Sequence, residues 1–217
     1  MAGTNRKREA IENSQDGPVV ILVRPQLGEN IGAAARAMLN FGLTKMRLVQ
    51  PRDKWPNPQA LNTSSGAESV LHQAGIFEST EDAIADLHHV YATTARIRDM
   101  VKPVFAPRDA AQKIRKNGAC GETSGILFGR ERSGLENSDA SLAEALLVVP
   151  ANPNYSSINL AQAVLLLAYE WFQTGTPETL KNVTRKGAIP ATAEELQHLF
   201  DHLEGELDSC GFLRPLD

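Results

Sequence analysis

Short apolar runs and longer helical patterns alternate along this chain. Val19–Val23 is a β-branched run that breaks at Arg24-Pro25. Residues 31–41 are Ala-rich, place apolar positions at helical spacing, and stop at Gly42 in the C-cap place. Met46–Val49 predicts a second strand before Pro51, residues 67–74 a short helix, and residues 76–77 a strand stub. Thr80 is expected to cap a helix over 81–87, whose acids fall in its first turn. His89–Thr93, 125–128 and 146–149 read as strands, and 107–116 as a helix closed by Asn117-Gly118. The longest helix, 157–172, is apolar on nearly every side. Repeated β-α-β order predicts an α/β fold: a mostly parallel sheet with helices on both faces. No internal repeat is visible.

The 217 residues suit one such domain with a small appendage, and 42% hydrophobic residues are enough for its core. We divide the chain into a flexible N-terminal arm (1–17), the α/β domain (18–174), a Thr-, Pro-, Lys- and Gly-rich linker (175–190) and a C-terminal helical extension (191–217). The extension predicts an amphipathic helix over 192–209, with Leu196, Leu199, Phe200, Leu203 and Leu207 on one stripe. That stripe is expected to cover the main domain or a second subunit.

No apolar run reaches transmembrane length, and the N-terminus lacks the apolar stretch of a secretory signal. Cys120 and Cys210 are too few for a disulfide framework and lack zinc-ligand spacing. A cytoplasmic protein without metal or membrane contact is expected. Charge then changes the picture. The net charge is −4, but residues 190–217 carry −6 while 92–116 carry +5. Attraction to nucleic-acid phosphate depends on such a local patch, not on the total, although a solvated loop would look the same.

Three loops fall at the carboxyl ends of predicted strands, where open parallel sheets bind ligands. The first, from Arg24 to Gly32, leads into a helix carrying Arg36. It lacks the G-x-G-x-x-G of dinucleotide binding, which argues against a Rossmann oxidoreductase. Helix side chains lean toward the N-terminus, so Arg36 is expected to lean over Gly32, where no side chain blocks a phosphate. The bland alternative is an exposed arginine paired with Glu29. The second loop, Phe128-Gly129-Arg130-Glu131-Arg132-Ser133-Gly134-Leu135, has P-loop glycines without the required Lys-Ser/Thr, which removes triphosphate binding. The third runs from Pro150 to Asn159, with Ser156 or Ser157 as the expected N-cap of the long helix. None of the three contains His or Cys, and G-x-S-x-G and H-E-x-x-H are absent. His198 and His202 lie one turn apart without a third ligand and read as a solvated face.

Together the loops resemble the three motifs of the SpoU branch of the SPOUT methyltransferases. Asn30, Gly32, Ala35 and Arg36 match N-x-G-x-x-A-R; Gly129, Glu131, Gly134 and Leu135 match G-x-E-x-x-G-L; Ser157, Asn159 and Leu160 match S-x-N-L. The resemblance runs from about residue 18 to 172 and implies a deep C-terminal trefoil knot, which pattern rules alone do not predict. It implies S-adenosyl-L-methionine as cofactor, held by Thr93, Thr94, Ala95, Gly129, Val149, Ser156, Ser157 and Ile158, so that a side chain at Gly129 would crowd it. It implies RNA as partner, contacted by Arg24, Arg36, Arg96, Arg98, Lys102, Arg130 and Arg132, and a homodimer. Catalytic roles fall to Arg36, Asn30, Ser157, Asn159 and Glu131.

Finer wording, at Ala92–Arg96, Gly129–Arg132 and Ala151–Ser157, is similar to a group that methylates the ribose 2′-hydroxyl of tRNA at position 32, the first nucleotide of the anticodon loop. A ribosomal RNA target and a non-catalytic RNA-binding module are the alternatives.

Overall fold

The computed structural model describes residues 17–95, 101–175 and 192–212. In chain order the elements are β1 (Val19–Val23), α1 (Gly28–Asn40), β2 (Met46–Val49), α2 (Pro58–Ser64), α3 (Glu68–His72), β3 (Gly75–Phe77), α4 (Thr80–Ile84), β4 (His89–Thr93), β5 (Val104–Phe105), α5 (Pro107–Ala119), β6 (Ser124–Phe128), α6 (Asn137–Leu142), β7 (Ala145–Leu147), α7 (Leu160–Gly175) and α8 (Ala193–Ser209). The seven strands form one sheet in the order β3-β2-β1-β6-β4-β7-β5, and every neighbouring pair is parallel. The predicted α/β class is observed.

Side-chain alternation along the strands sorts the core into two layers. Val20, Leu22, Tyr91, Ile126, Phe128 and Leu147 point into one layer with α1, α3, α5 and α7. Val19, Ile21, Val23, Val90, Ala92, Leu127 and Leu146 point into the other with α4 and α6. Both faces are covered, so the central strands are apolar throughout; β1 and β6 are buried at every position.

Several boundaries differ from the sequence expectation. The α1 helix starts at Gly28 rather than 31, and α7 at Leu160 rather than 157. Ser79, not Thr80, caps α4: its hydroxyl accepts from the Asp82 N–H at 3.0 Å. Thr80 is buried and donates to Asp139 Oδ1 at 2.7 Å. Unpredicted α2 has a legible start, because Asn57 Oδ1 accepts from the N–H groups of Gln59 (2.9 Å) and Ala60 (3.2 Å) and Pro58 follows. Unpredicted β5 is two residues long, too short to show a period.

The chain divides into two compact units, Met1–Pro177 and Glu178–Asp217. In the second, α8 begins at a Thr192–Glu195 capping box. Its predicted apolar stripe is exposed at Leu196, Leu199, Phe200 and Leu203. Residues 1–16 of the predicted arm and 176–190 of the linker lie outside the described residues.

At the amino end of the sheet, His89 clasps two loops. Its Nε2 meets Glu122 at 2.8 Å and its Nδ1 meets Glu144 at 3.0 Å. Hydrogen bonds to Glu144 and then Glu122 raise the imidazole pKa above the ordinary histidine value. A group with a raised folded pKa stabilises fully below its unfolded value and loses that stabilisation as pH rises through the folded one. The protein is therefore expected to lose a modest part of its stability as pH rises through and above the ordinary histidine range, modest because both acids are partly solvated. Urea melts across that range should show the slope for wild type and a flatter line for His89→Gln.

Candidate active site

The adjacent strands β6, β4 and β7 end side by side, and the loops that follow them enclose a cleft of about 1000 Å³. Thr93, Thr94 and Ala95 line it from the β4 loop, residues 128–135 and Asn137 from the β6 loop, and Leu147, Val149, Ser156, Ser157 and Ile158 from the β7 side. Leu160 and Ala163 of α7 close it. All eight residues assigned to the cofactor by resemblance thus stand around one cleft. Arg132, Ser133, Leu135, Asn137, Leu160 and Ala163 join them. Leu135 and Leu160 are motif positions and Arg132 an expected RNA contact, whereas Ser133, Asn137 and Ala163 had no role assigned from the sequence.

Short contacts between the loops hold the cleft open. Thr93 Oγ1 donates to the Leu127 carbonyl at 2.8 Å, and the Thr94 N–H donates to the Leu147 carbonyl at 2.9 Å, so the β4 loop is tied to both neighbours. The β6 loop closes on itself: the Gly134 N–H donates to the Arg130 carbonyl at 2.9 Å, with Gly134 at φ +69°. Gly129 lies so close that a Cβ there would stand 2.0 Å from Leu135 N. This corrects the reason given for Gly129. A side chain would first collide with the loop's own backbone, whatever it did to a ligand.

Behind the cleft, one polar chain joins all three motifs. The Glu131 carboxylate accepts from the N–H groups of Gln26 (2.9 Å) and Leu27 (3.1 Å) and from Asn30 Nδ2 (3.0 Å). The Asn30 Oδ1 accepts in turn from Asn159 Nδ2 at 3.0 Å. Asn159 then caps α7, its Oδ1 accepting from the N–H groups of Ala161 (2.9 Å) and Gln162 (3.4 Å). The expected cap, Ser156 or Ser157, is corrected to Asn159. Burial pushes the Glu131 carboxyl up, but the hydrogen bonds from Asn30 and the backbone outweigh it and hold the group below the usual carboxylate range.

Arg36 is exposed on α1 and makes no ion pair with Glu29. Gly32, one turn earlier, is not an open landing for phosphate. A Cβ there would stand 2.1 Å from both the Ala60 carbonyl and Thr63 Oγ1, so Gly32 lets α2 press against α1. Gly28 does the same against Asn57. This corrects the expectation that Arg36 leans over an empty glycine surface.

The other proposed RNA contacts divide. Arg24 pairs with buried Asp139 and lies 3.5 Å from Glu136, and Arg130 pairs with Glu136. The Lys102 ammonium donates to the carbonyls of Ser141 (2.7 Å) and Ala143 at the end of α6. Arg132 is exposed at the cleft. Arg96 and Arg98 lie outside the described residues. Among the described residues, no group of three or more His, Cys, Asp or Glu is placed to hold a metal, and no helix is long and apolar enough to cross a membrane.

The SpoU rRNA Methylase family model matches residues 17–169. The chain belongs to the SpoU methylase family. It is 35% identical over 199 residues to the tRNA (cytidine/uridine-2′-O-)-methyltransferase TrmJ of Sodalis glossinidius, covering 90% of this chain and 76% of that one. The crystal structure of TrmJ from Z. mobilis ZM4 shares 52% identity at a TM-score of 0.69, over 92% of this chain and 83% of that one. The SpoU methyltransferase AviRb from Streptomyces viridochromogenes, solved with AdoMet, shares the fold alone, with 19% identity and a TM-score of 0.59 over 73% and 58% of the two chains.

This SpoU-family cleft fits the methyl donor that the family implies. Leu135, Leu147, Val149, Ile158 and Ala163 offer an apolar bed for adenine, and Ser133, Ser156 and Ser157 bring hydroxyls to the same walls.

The polar chain makes a separable prediction. Asn159→Ala removes both the α7 cap and the donor to Asn30, and should cost about 1–2 kcal/mol in urea unfolding. Asn159→Asp keeps a good cap but turns a lone pair on Asn30, so it should recover only part of the loss.

Proposed function

We propose that this protein transfers the methyl group of S-adenosyl-L-methionine to a ribose 2′-hydroxyl of tRNA, at the first nucleotide of the anticodon loop. One observation carries the reading. The cleft that gathers the eight cofactor residues is joined, through Glu131, Asn30 and Asn159, to the amino end of the helix that presents Arg36. Tight similarity to TrmJ chains from Sodalis and Z. mobilis favours tRNA over ribosomal RNA as substrate. The trefoil knot belongs to the same reading, and the meeting of the β4, β6 and β7 loops at one cleft supports it.

A bound sulfonium supplies an already activated methyl group for in-line displacement. The residues of the chain then have to align the hydroxyl and accommodate its proton. Arginine stays protonated, so Arg36 is not the base. Its guanidinium instead grips the phosphate beside the target ribose, and that phosphate takes the proton. Ser157 and Asn159 orient the hydroxyl side of the cleft, while Asn30 and Glu131 fix the helix from which Arg36 reaches. Arg132 adds an exposed cation at the cleft mouth.

Assembly follows from α7. Leu160, Val164, Leu167, Ala168 and Trp171 are buried in the core, whereas Leu165, Leu166 and Tyr169 are exposed at 38–43%. An apolar outer stripe on the helix that closes the cleft suits a homodimer contact. Sedimentation at micromolar protein should show two subunits, and Leu165→Glu should give a folded monomer with methyl transfer reduced at least about tenfold. A wild-type monomer with full activity contradicts this assembly.

Arg36→Ala should lower single-turnover methyl transfer to tRNA by on the order of 10²-fold or more, with cofactor affinity within about twofold of wild type. Arg36→Lys should rescue poorly, since a point charge cannot form the bidentate fork. Normal turnover by Arg36→Ala, or failure only through lost cofactor binding measured by calorimetry, overturns the role of the first loop.

A further inference from the structure

A second hollow of about 650 Å³ opens beside the cofactor cleft, and the two share Ala95, Val149, Ser156 and Ser157 as a common wall. Its remaining lining comes from Val148, Pro150, Ala151 and 153–155. Val148, Val149, Ala151 and two prolines supply its apolar lining beside Asn154, Ser156 and Ser157, and Tyr155 lines it with 80% of its surface exposed. An exposed tyrosine on a loop calls for a reason, because its ring stabilises nothing in the fold while wet.

The loop beneath Tyr155 is built to hold it still. The Tyr155 N–H donates to the Asn152 carbonyl at 2.8 Å, and the Asn154 N–H donates to Asn152 Oδ1 at 3.0 Å. Pro150 and Pro153 fix two more backbone torsions in the same segment. A rigid turn thus presents a bare aromatic face next to the cleft.

We propose that this second hollow seats the base of the target nucleotide, stacked on Tyr155, while its ribose lies at the shared wall. The inference rests on the RNA ribose methyltransferase reading and extends it. To bring a 2′-hydroxyl to the wall between the two hollows, the nucleotide must leave its stacked neighbours. The unstacked base then needs a flat apolar partner, which an aromatic side chain supplies without selecting one base strongly. The phenol is not required for that task; the ring is.

The test uses the full chain and unmodified tRNA transcripts. Tyr155→Ala should lower kcat/KM for methyl transfer roughly 10- to 100-fold, with cofactor affinity by calorimetry within about twofold of wild type. Tyr155→Phe should stay within about threefold. On a transcript made abasic at the nucleotide that the wild type methylates, wild type and Tyr155→Ala should be equal, which a merely structural role would not produce. Tyr155→Trp supplies a reporter independent of turnover: with S-adenosylhomocysteine present, added transcript should quench the new indole emission. Quenching without methyl transfer by the wild type would retire the methyltransferase reading and keep the stacking site. An active Tyr155→Ala, an inactive Tyr155→Phe, a penalty that persists on the abasic transcript, or an indole that RNA does not quench each overturns the proposal.

Discussion

Glu131 is a carboxylate set against the amino terminus of α1, and the site depends on that placement. Leu27, the N-cap residue, offers no side-chain cap of its own, so the first free N–H groups of the helix need an acceptor from elsewhere. Glu131, from the β6 loop more than a hundred residues away in sequence, accepts instead from the N–H groups of Leu27 and of Gln26 just before it, and its negative charge at that end complements the helix dipole. The same carboxylate holds the Asn30 amide with its oxygen free for Asn159. One acid therefore fixes where α1 begins, which way Asn30 faces, and how α7 is tied to both.

The consequence is mechanical. The cleft is walled by loops, which alone would be the softest part of the domain. Here each loop is tied by short hydrogen bonds: Thr93 to β6, Thr94 to β7, Gly134 back to Arg130 within its own loop, and Asn159 to α7. A displacement of the Glu131 loop would pull at the start of α1 and so move Arg36. The cleft and the helix that carries Arg36 are thus coupled through three hydrogen-bonded residues, without any side chain of α1 lining the cleft itself.

The strands of this fold were legible because buried parallel strands are runs of Val, Ile and Leu, and β1 and β2 lie where those runs lie. Helix ends were less legible. A serine at 156 or 157 is as good a cap by type as the asparagine that follows, but Asn159 takes the first N–H groups and α7 starts at Leu160. The motif glycines show the same boundary. Helix geometry suggested an open surface for phosphate at Gly32, and resemblance assigned Gly129 to the cofactor. Only the structure shows that both make room for protein backbone, Gly32 for α2 and Gly129 for the return of its own loop. Chemistry at a glycine cannot be read from sequence, because the residue records an approach and not what approaches.

Charge teaches the complementary point. The segment 92–116 is basic in sequence, yet within the fold much of that charge is engaged. Lys102 holds carbonyls at the end of α6, Arg108 pairs with Glu170 at 3.0 Å, Lys113 sits over the Phe105 ring, and Arg115 stacks on Trp171 while donating to its carbonyl at 2.6 Å. Arg24 and Arg130 are matched to acids in the same way. A phosphate competing for any of these must first displace an internal partner, which subtracts from its gain. Arg36 and Arg132 are exposed and form no ion pair among the described residues that a phosphate would have to displace. An RNA backbone would accordingly be gripped where cations are both free and held on rigid elements, and the polar chain from Glu131 to Asn159 is what makes the helix under Arg36 such an element.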